Sequence, residues 1–335
     1  MEPIRVTVLC EDLGSLAAAA RSAQRYPAIE RTWARGEPCD LLLPTANHLR
    51  FSLFGADPAG SIPVAALTHV SDRQRPPDEH CYWLRADPVT LWADMAQVFM
   101  TQFGFADLDP VERNEIENCI RGVLRREGIH LHSHHPERWC IPLDQPLDFS
   151  FTPLDEALGM DLADALPEHA EARHWRRILN EIQVALHNAP VNIRRRAKGK
   201  REINSVWFWG GGFMPDTTAH HPFHTVYSDD PVSRGLAIIN DCRFVEQSEA
   251  LTADFEHDGA TVLIDWAVTG DGPDDELARI EALTGRLQAL ADRGLVHLEL
   301  YDGSGQGRAY QGSARRRFWR RNRPLWRVFP AGPGS

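Results

Sequence analysis

The chain has 335 residues, of which 43% are hydrophobic and 25% charged, so it can bury a sizeable core and reads as globular rather than disordered. A net charge of −11 argues against bulk affinity for nucleic acid, and no run of about eighteen apolar residues is present to span a membrane. The six cysteines, at 10, 39, 81, 119, 140 and 242, form no Cys-x-x-Cys pair and are expected to be reduced thiols of a cytoplasmic protein. Met1-Glu2-Pro3 carries no basic lead, so no signal peptide is expected.

Ile4 to Leu9 alternates and is β-branched, which predicts a first strand, with Cys10 just past it as a reactive-thiol candidate or a plain core residue. Leu16 to Arg25 follows as an Ala-rich helix, and Asp40 to Leu43 as a short apolar run. Gly55-Ala-Asp-Pro58 is turn chemistry, and Gly60 to Pro77 reads as mostly loop with one strand. Asp109-Pro110 opens a helix whose face holds Val111, Ile116, Ile120, Val123 and Leu124, and Gly128 closes it. His130, His132, His134 and His135 alternate as an exposed or mixed-polarity strand would. A second helix runs from about Glu168 to His187, with Trp175, Ile178, Leu179, Ile182 and Leu186 on one stripe. Pro190 ends it, and Asn192 to Lys200 reads as a basic polar connection.

Asn204-Ser-Val-Trp-Phe-Trp-Gly-Gly-Gly-Phe-Met-Pro215 then sets two tryptophans against three glycines. A helix or strand beginning near Pro231 takes in Leu236 to Ile239, and Ala260 to Asp265 is a buried strand. Pro273 to Arg293 is a helix stopped by Gly294, and Val296 to Leu300 is a last strand. Strands separated by helices predict an α/β fold with a largely parallel sheet.

In such a sheet ligands sit beyond the carboxyl ends of strands. If Val206 to Trp209 is one of its strands, Gly210, Gly211 and Gly212 fall where backbone N–H groups could approach a phosphate or carboxylate; a tight turn beside core tryptophans is the plainer alternative. Arg194, Arg195, Arg196, Lys198 and Lys200 could steer an anion there, or simply be solvated. His220, His221 and His224 lie close enough for zinc, but Pro222 breaks their face. From Gly303 onward there are eight arginines and no acid, so residues 1–302 are more acidic than the whole. The stretch Arg315 to Trp326 interleaves cations with aromatics, which suits single-stranded nucleic acid, an acidic membrane surface or the protein's own acidic body. The charge of residues 1–302 favours the last.

The run Leu186-His-Asn-Ala-Pro-Val-Asn192, then Arg194, Gly199-Lys200 and Asn204 to Gly212, resembles a segment of the archaeal-type cofactor-independent phosphoglycerate mutases. The likeness spans roughly residues 50–300, with 186–212 its specific part, and the Arg-Arg-Phe-Trp-Arg-Arg tail resembles the bacterial regulatory-protein RpfE family. This resemblance implies an alkaline-phosphatase-like three-layer α/β sandwich over residues 1–302, with a mostly parallel sheet and a smaller inserted region within about 60–165. Residues 303–335 would form a basic aromatic tail.

The resemblance also implies two divalent metals and a hydroxyl nucleophile, and here the sequence departs from the pattern. The first strand leads into Glu11-Asp12 rather than Asp-Gly. The run Ile264 to Asp271 offers Asp265 without a histidine, and Tyr301-Asp-Gly-Ser304 offers Asp302 without one. Two-metal phosphoryl transfer needs a dense ligand set. The expectation is therefore a regulatory or small-anion-binding protein without a metal cofactor. Its partner would be a phosphorylated or carboxylated metabolite, or a protein, with nucleic acid not expected. Asn192, Arg194, Asn204, Gly210, Gly211 and Gly212 would cradle the anion. One alternative is a working phosphomutase or phosphatase using manganese or zinc on Glu11, Asp12, Asp265, Asp271 and Asp302. Another is an interaction module acting through the tail.

Overall fold

The computed structural model describes residues 2–20, 24–57, 60–76, 81–94, 97–105, 107–216, 222–255, 260–268 and 272–329. The chain forms two compact units, one of residues 1–59 with 217–335 and one of residues 60–216. The inserted region thus runs on to Asp216, past the expected limit near 165.

The first unit holds a seven-stranded sheet. Its centre is the Ile4–Cys10 strand, which pairs in parallel with Val296–Asp302 on one side and Thr261–Trp266 on the other. Thr225–Ser228 and Arg243–Val245 extend the parallel part, while Gly307–Tyr310 and Glu37–Pro38 add an antiparallel edge. Alternation along the first strand builds the layers. Ile4, Val6, Val8 and Cys10 pack with Leu277, Ile280, Leu283 and Leu287 of the Pro273–Asp292 helix, whereas Leu9 packs with Leu49 of the Ala46–Leu53 helix. Helices therefore cover both faces of a mostly parallel sheet, as the strand–helix alternation predicts. Each such Leu or Ile buried in full contributes about 1.5–3 kcal/mol.

The basic tail is part of this unit. Gly307–Tyr310 is a sheet strand, Arg308 pairs with Asp40 at 2.9 Å, and Arg317 pairs with Glu37. Leu325 and Phe329 are buried, and Phe329 meets Trp33 edge-on at 4.8 Å. Phe318 and Trp319 stay exposed. Asp40 to Leu43 forms no strand; Leu41 N donates instead to Gly305 O at 2.7 Å.

The second unit is built on the Tyr82–Asp94 strand, which pairs antiparallel with Gln97–Phe103, Cys140–Leu143 and Ser205–Phe213. The Pro110–Arg126 and Ala172–His187 helices bury Ile116, Ile120, Ile178 and Ile182 with Leu84, Val206 and Phe208. Asp109 caps the first of these by accepting from Val111 N and Glu112 N, both at 2.9 Å. Two stretches expected as loop are helical: Val64–Arg73, whose Ala65, Ala66, Leu67 and Val70 are buried, and Pro190–Ala197, which Pro190 opens at its first position. Tertiary burial overrides weak local signals in both. Among the described residues no helix is long and apolar enough to cross a membrane.

Candidate site at the carboxyl ends of the parallel strands

The carboxyl ends of three strands of the first unit gather a charged cluster around Arg50, which is buried at 2% exposure. Thr45 caps the Ala46–Leu53 helix that presents it, accepting from His48 N at 3.4 Å. Arg50 Nε donates to Asp265 Oδ2 at 2.9 Å, and Nη2 to Asp265 Oδ1 at 3.3 Å and to Glu11 Oε2 at 2.7 Å. Its Nη1 donates to Asn47 Oδ1 at 3.0 Å, and Asp230 lies 3.5 Å from Nε. Asp265, fully buried, also accepts from Ser233 Oγ at 2.6 Å and Ser228 Oγ at 3.3 Å. Asp230 caps the Pro231–Ile239 helix by accepting from Val232 N and Ser233 N.

Burial opposes the Arg50 charge, but Asp265, Asp230 and Glu11 outweigh it and raise its pKa well above the ordinary guanidinium value. Burial, with the Asp265 charge beside it, raises the Asp230 carboxyl, and Arg50 works against that. Cys10 is buried in full, and burial followed by Asp12 and Asp265 raises its thiol well above the usual range, so it is no ready nucleophile.

The sequence singled out five carboxylates. Asp265 and Glu11 meet, but on a guanidinium. Asp12 precedes the Leu13–Ala19 helix without a side-chain cap bond. Asp302 is used by its own turn, accepting from Ser304 N at 3.0 Å, Ser304 Oγ at 2.8 Å and Gln306 N at 2.9 Å. Asp271 lies outside the described residues, as do His220 and His221. Among the described residues none of the four acids belongs to a group of three with metal-ligand spacing. As placed, Asp265 and Glu11 turn to a fixed side-chain cation rather than to an open position that a divalent ion could share.

The residues expected to cradle an anion belong to the second unit and do other work in it. Asn192, fully buried, donates to Leu186 O and Ile203 O, both at 2.9 Å, and accepts from Ile203 N at 3.1 Å. Asn204 brackets Leu91, accepting from its N and donating to its O, each at 2.8 Å. Arg194 is exposed and pairs with Glu115 at 2.6 Å, whereas its neighbour Arg195 is buried against Glu112 at 2.6 Å. Gly210, Gly211 and Gly212 are not a loop beyond a parallel strand. They lie within the antiparallel Ser205–Phe213 strand. A Cβ on Gly212 would stand 2.5 Å from Pro63 Cβ, one on Gly211 would strike the Tyr82 ring, and Gly210 has φ +63°. The missing side chains let the start of the Val64–Arg73 helix close on the strand. Asn204 does border an open groove of about 700 Å³, with Arg196, Lys200 and Arg201 on its rim.

Sequence reasoning missed Arg50, Asp230, Ser228 and Ser233. Asp230-Pro231 repeats the Asp-Pro signature read at Asp109-Pro110, so the helix start was findable. Nothing local marks Arg50, whose partners Glu11 and Asp265 are 39 and 215 residues away in the chain.

The molecule is a mixed α/β protein with a mostly parallel central sheet and an acid-rich cluster at its strand ends. No family model matches the chain. It is 25% identical over 221 residues to the 2,3-bisphosphoglycerate-independent phosphoglycerate mutase of Methanosarcina acetivorans, covering 61% of this chain and 52% of that one. Against the enzyme of the same name from Methanosarcina mazei it is 27% identical over 213 residues, 59% of this chain and 51% of that one. The chain thus spans about half the length of the curated relatives it matches. Among solved structures, the PH0037 protein from Pyrococcus horikoshii shares the fold, with a TM-score of 0.55 at 12% identity over 92% of this chain and 85% of that one. The chain is phosphoglycerate mutase-like at low identity.

Proposed function

We propose that this is an alkaline-phosphatase-like relative of the cofactor-independent phosphoglycerate mutases that has lost metal-dependent phosphoryl transfer. It serves regulation, in the manner the RpfE likeness implies, by binding a small phosphorylated or carboxylated metabolite. The observation that carries the loss is Arg50. Its guanidinium is buried among Asp265, Glu11 and Asp230, at the strand ends where divalent ions would have to sit. A guanidinium neutralises carboxylates but offers no open coordination position. It therefore cannot ligate and deprotonate a hydroxyl nucleophile as a bound metal does.

That cluster holds three carboxylates to one cation, so it is no anion site itself. The anion-binding part of the proposal rests on the groove beside Asn204, where Arg201 makes no ion pair among the described residues while Arg196 and Lys200 are partnered by Glu202 and Glu112. The test is turnover and binding on the full chain. Mutase and phosphatase assays with manganese or zinc are expected to show no turnover; metal-dependent turnover abolished by Asp265→Asn would overturn the loss. Thermal shift with 3-phosphoglycerate is expected to show stabilisation that Arg201→Ala removes. No shift across phosphorylated and carboxylated acids would overturn the binding assignment.

A further inference from the structure

His130, His132, His134 and His135 form no strand beyond an isolated bridge at His132, and two of them converge with His69. His69 lies on the Val64–Arg73 helix and is 1% exposed. Its ring stacks on Trp83 with centroids 3.9 Å apart, and its Nε2 is buried with no hydrogen-bond partner. Native proteins rarely leave such an atom unsatisfied, and an ion is one of the standard reasons when they do. His132 reaches the same place from a segment pinned by two backbone bonds: His132 N donates to Cys140 O at 2.8 Å, and Cys140 N to His132 O at 2.9 Å. The His69 ring centroid is 5.3 Å from that of His132 and 5.4 Å from that of His134. One ligand nitrogen from each of the three lies within 4.8 Å of the other two.

We propose that His69, His132 and His134 bind a zinc-like divalent cation through three imidazole nitrogens, leaving its fourth coordination position to water. In a tetrahedral zinc site with bonds of about 2.0–2.1 Å, adjacent nitrogens sit roughly 3.3 Å apart. Closing from the observed spacing takes small ring rotations. His134 is exposed and can make them, while Trp83 holds the His69 ring. Three nitrogen donors suit zinc, copper or nickel and disfavour magnesium or calcium. Ligation requires unprotonated rings, and burial, then His132, His134 and Arg73, push His69 down to about 3. The Arg73 charge opposes a second cation, so affinity must come from the coordinate bonds rather than from the local field.

The alternative is that the three rings are only packed together. The full chain, stripped with a chelator, separates the two readings. Zinc titration by calorimetry should give one ion per chain, and cobalt substitution should give the visible absorption of a tetrahedral nitrogen site. His69→Ala removes a buried ring and risks the fold, so the deciding variant is His134→Ala, at an exposed position. It should weaken zinc binding beyond the roughly 10- to 100-fold typical of outer-shell partners, and His132→Ala should do the same. No zinc uptake by the wild-type chain would overturn the proposal. So would unchanged affinity in both variants, which would place the ion on other histidines or on the cysteines.

Discussion

The Arg50 cluster of the first unit and the His69 cluster of the second each gather three side chains of one chemical kind. They differ in what balances them. Asp265, Glu11 and Asp230 have a cation built in, the Arg50 guanidinium. His69, His132 and His134 have none, and His69 Nε2 is left unsatisfied. The acids of the first cluster share a cation from their own chain, whereas the second leaves a buried ring nitrogen without a hydrogen-bond partner.

The contrast can be broken most directly at Arg50. Arg50→Met leaves Asp265 buried and unpaired, and urea unfolding should show a loss of about 3–5 kcal/mol. Asp265→Asn in that background should recover part of it, because the orphaned charge is gone. A loss under about 1 kcal/mol would mean the guanidinium does not balance the cluster. Ser233→Ala removes the 2.6 Å bond to Asp265 and should cost about 1.5–3 kcal/mol by the same measurement. A neutral outcome would leave Arg50 and Ser228 to hold that carboxylate.

The His69 cluster is sharpened by pH. The folded value of about 3 lies below the ordinary 6.5, so the unfolded chain binds the proton first. The contribution of His69 is full above about 6.5 and is lost as pH falls toward 3. Metal-free protein should lose roughly 1–2 kcal/mol between pH 6.5 and 5, a slope that His69→Gln abolishes. An unchanged slope in that variant would place the titration elsewhere. The smallest effect is expected at Arg194. Arg194→Ala breaks only an exposed pair with Glu115 and should leave the urea midpoint where it was. A shifted midpoint would show that the basic helix does more than face solvent.

Legibility in the sequence tracked the range of the interaction responsible. The Asp109 cap, the Ala172–His187 stripe and the Thr261–Trp266 strand rest on neighbours within a turn or a pleat, and they read correctly. Val206 to Trp209 was legible as a strand, but neither its place in the antiparallel sheet nor its extension through the glycines was, because its partner Tyr82–Asp94 is distant in the chain. Its glycines therefore looked like a ligand loop when they are the clearance for Pro63 and Tyr82. The Val64–Arg73 helix was missed for a related reason. Its weak local pattern is made helical by burial against residues such as Trp83 and Cys140, and only the folded unit supplies them.

By itself the sequence determined the alternation of strand and helix, and with it a mostly parallel sheet whose strand ends carry Glu11, Asp265 and Asp302. It also determined that the tail is cationic against an acidic body. Only the tertiary structure decided what those acids face. Register along the Ile4–Cys10 strand sets Asp265 opposite Leu9 and Asp302 opposite Cys10, yet Arg50 joins the first while a local turn takes up the second. The physical reason is that backbone propensity is a short-range property. The pairing of a buried charge is fixed by whichever opposite charge the fold delivers, and no local pattern records that choice.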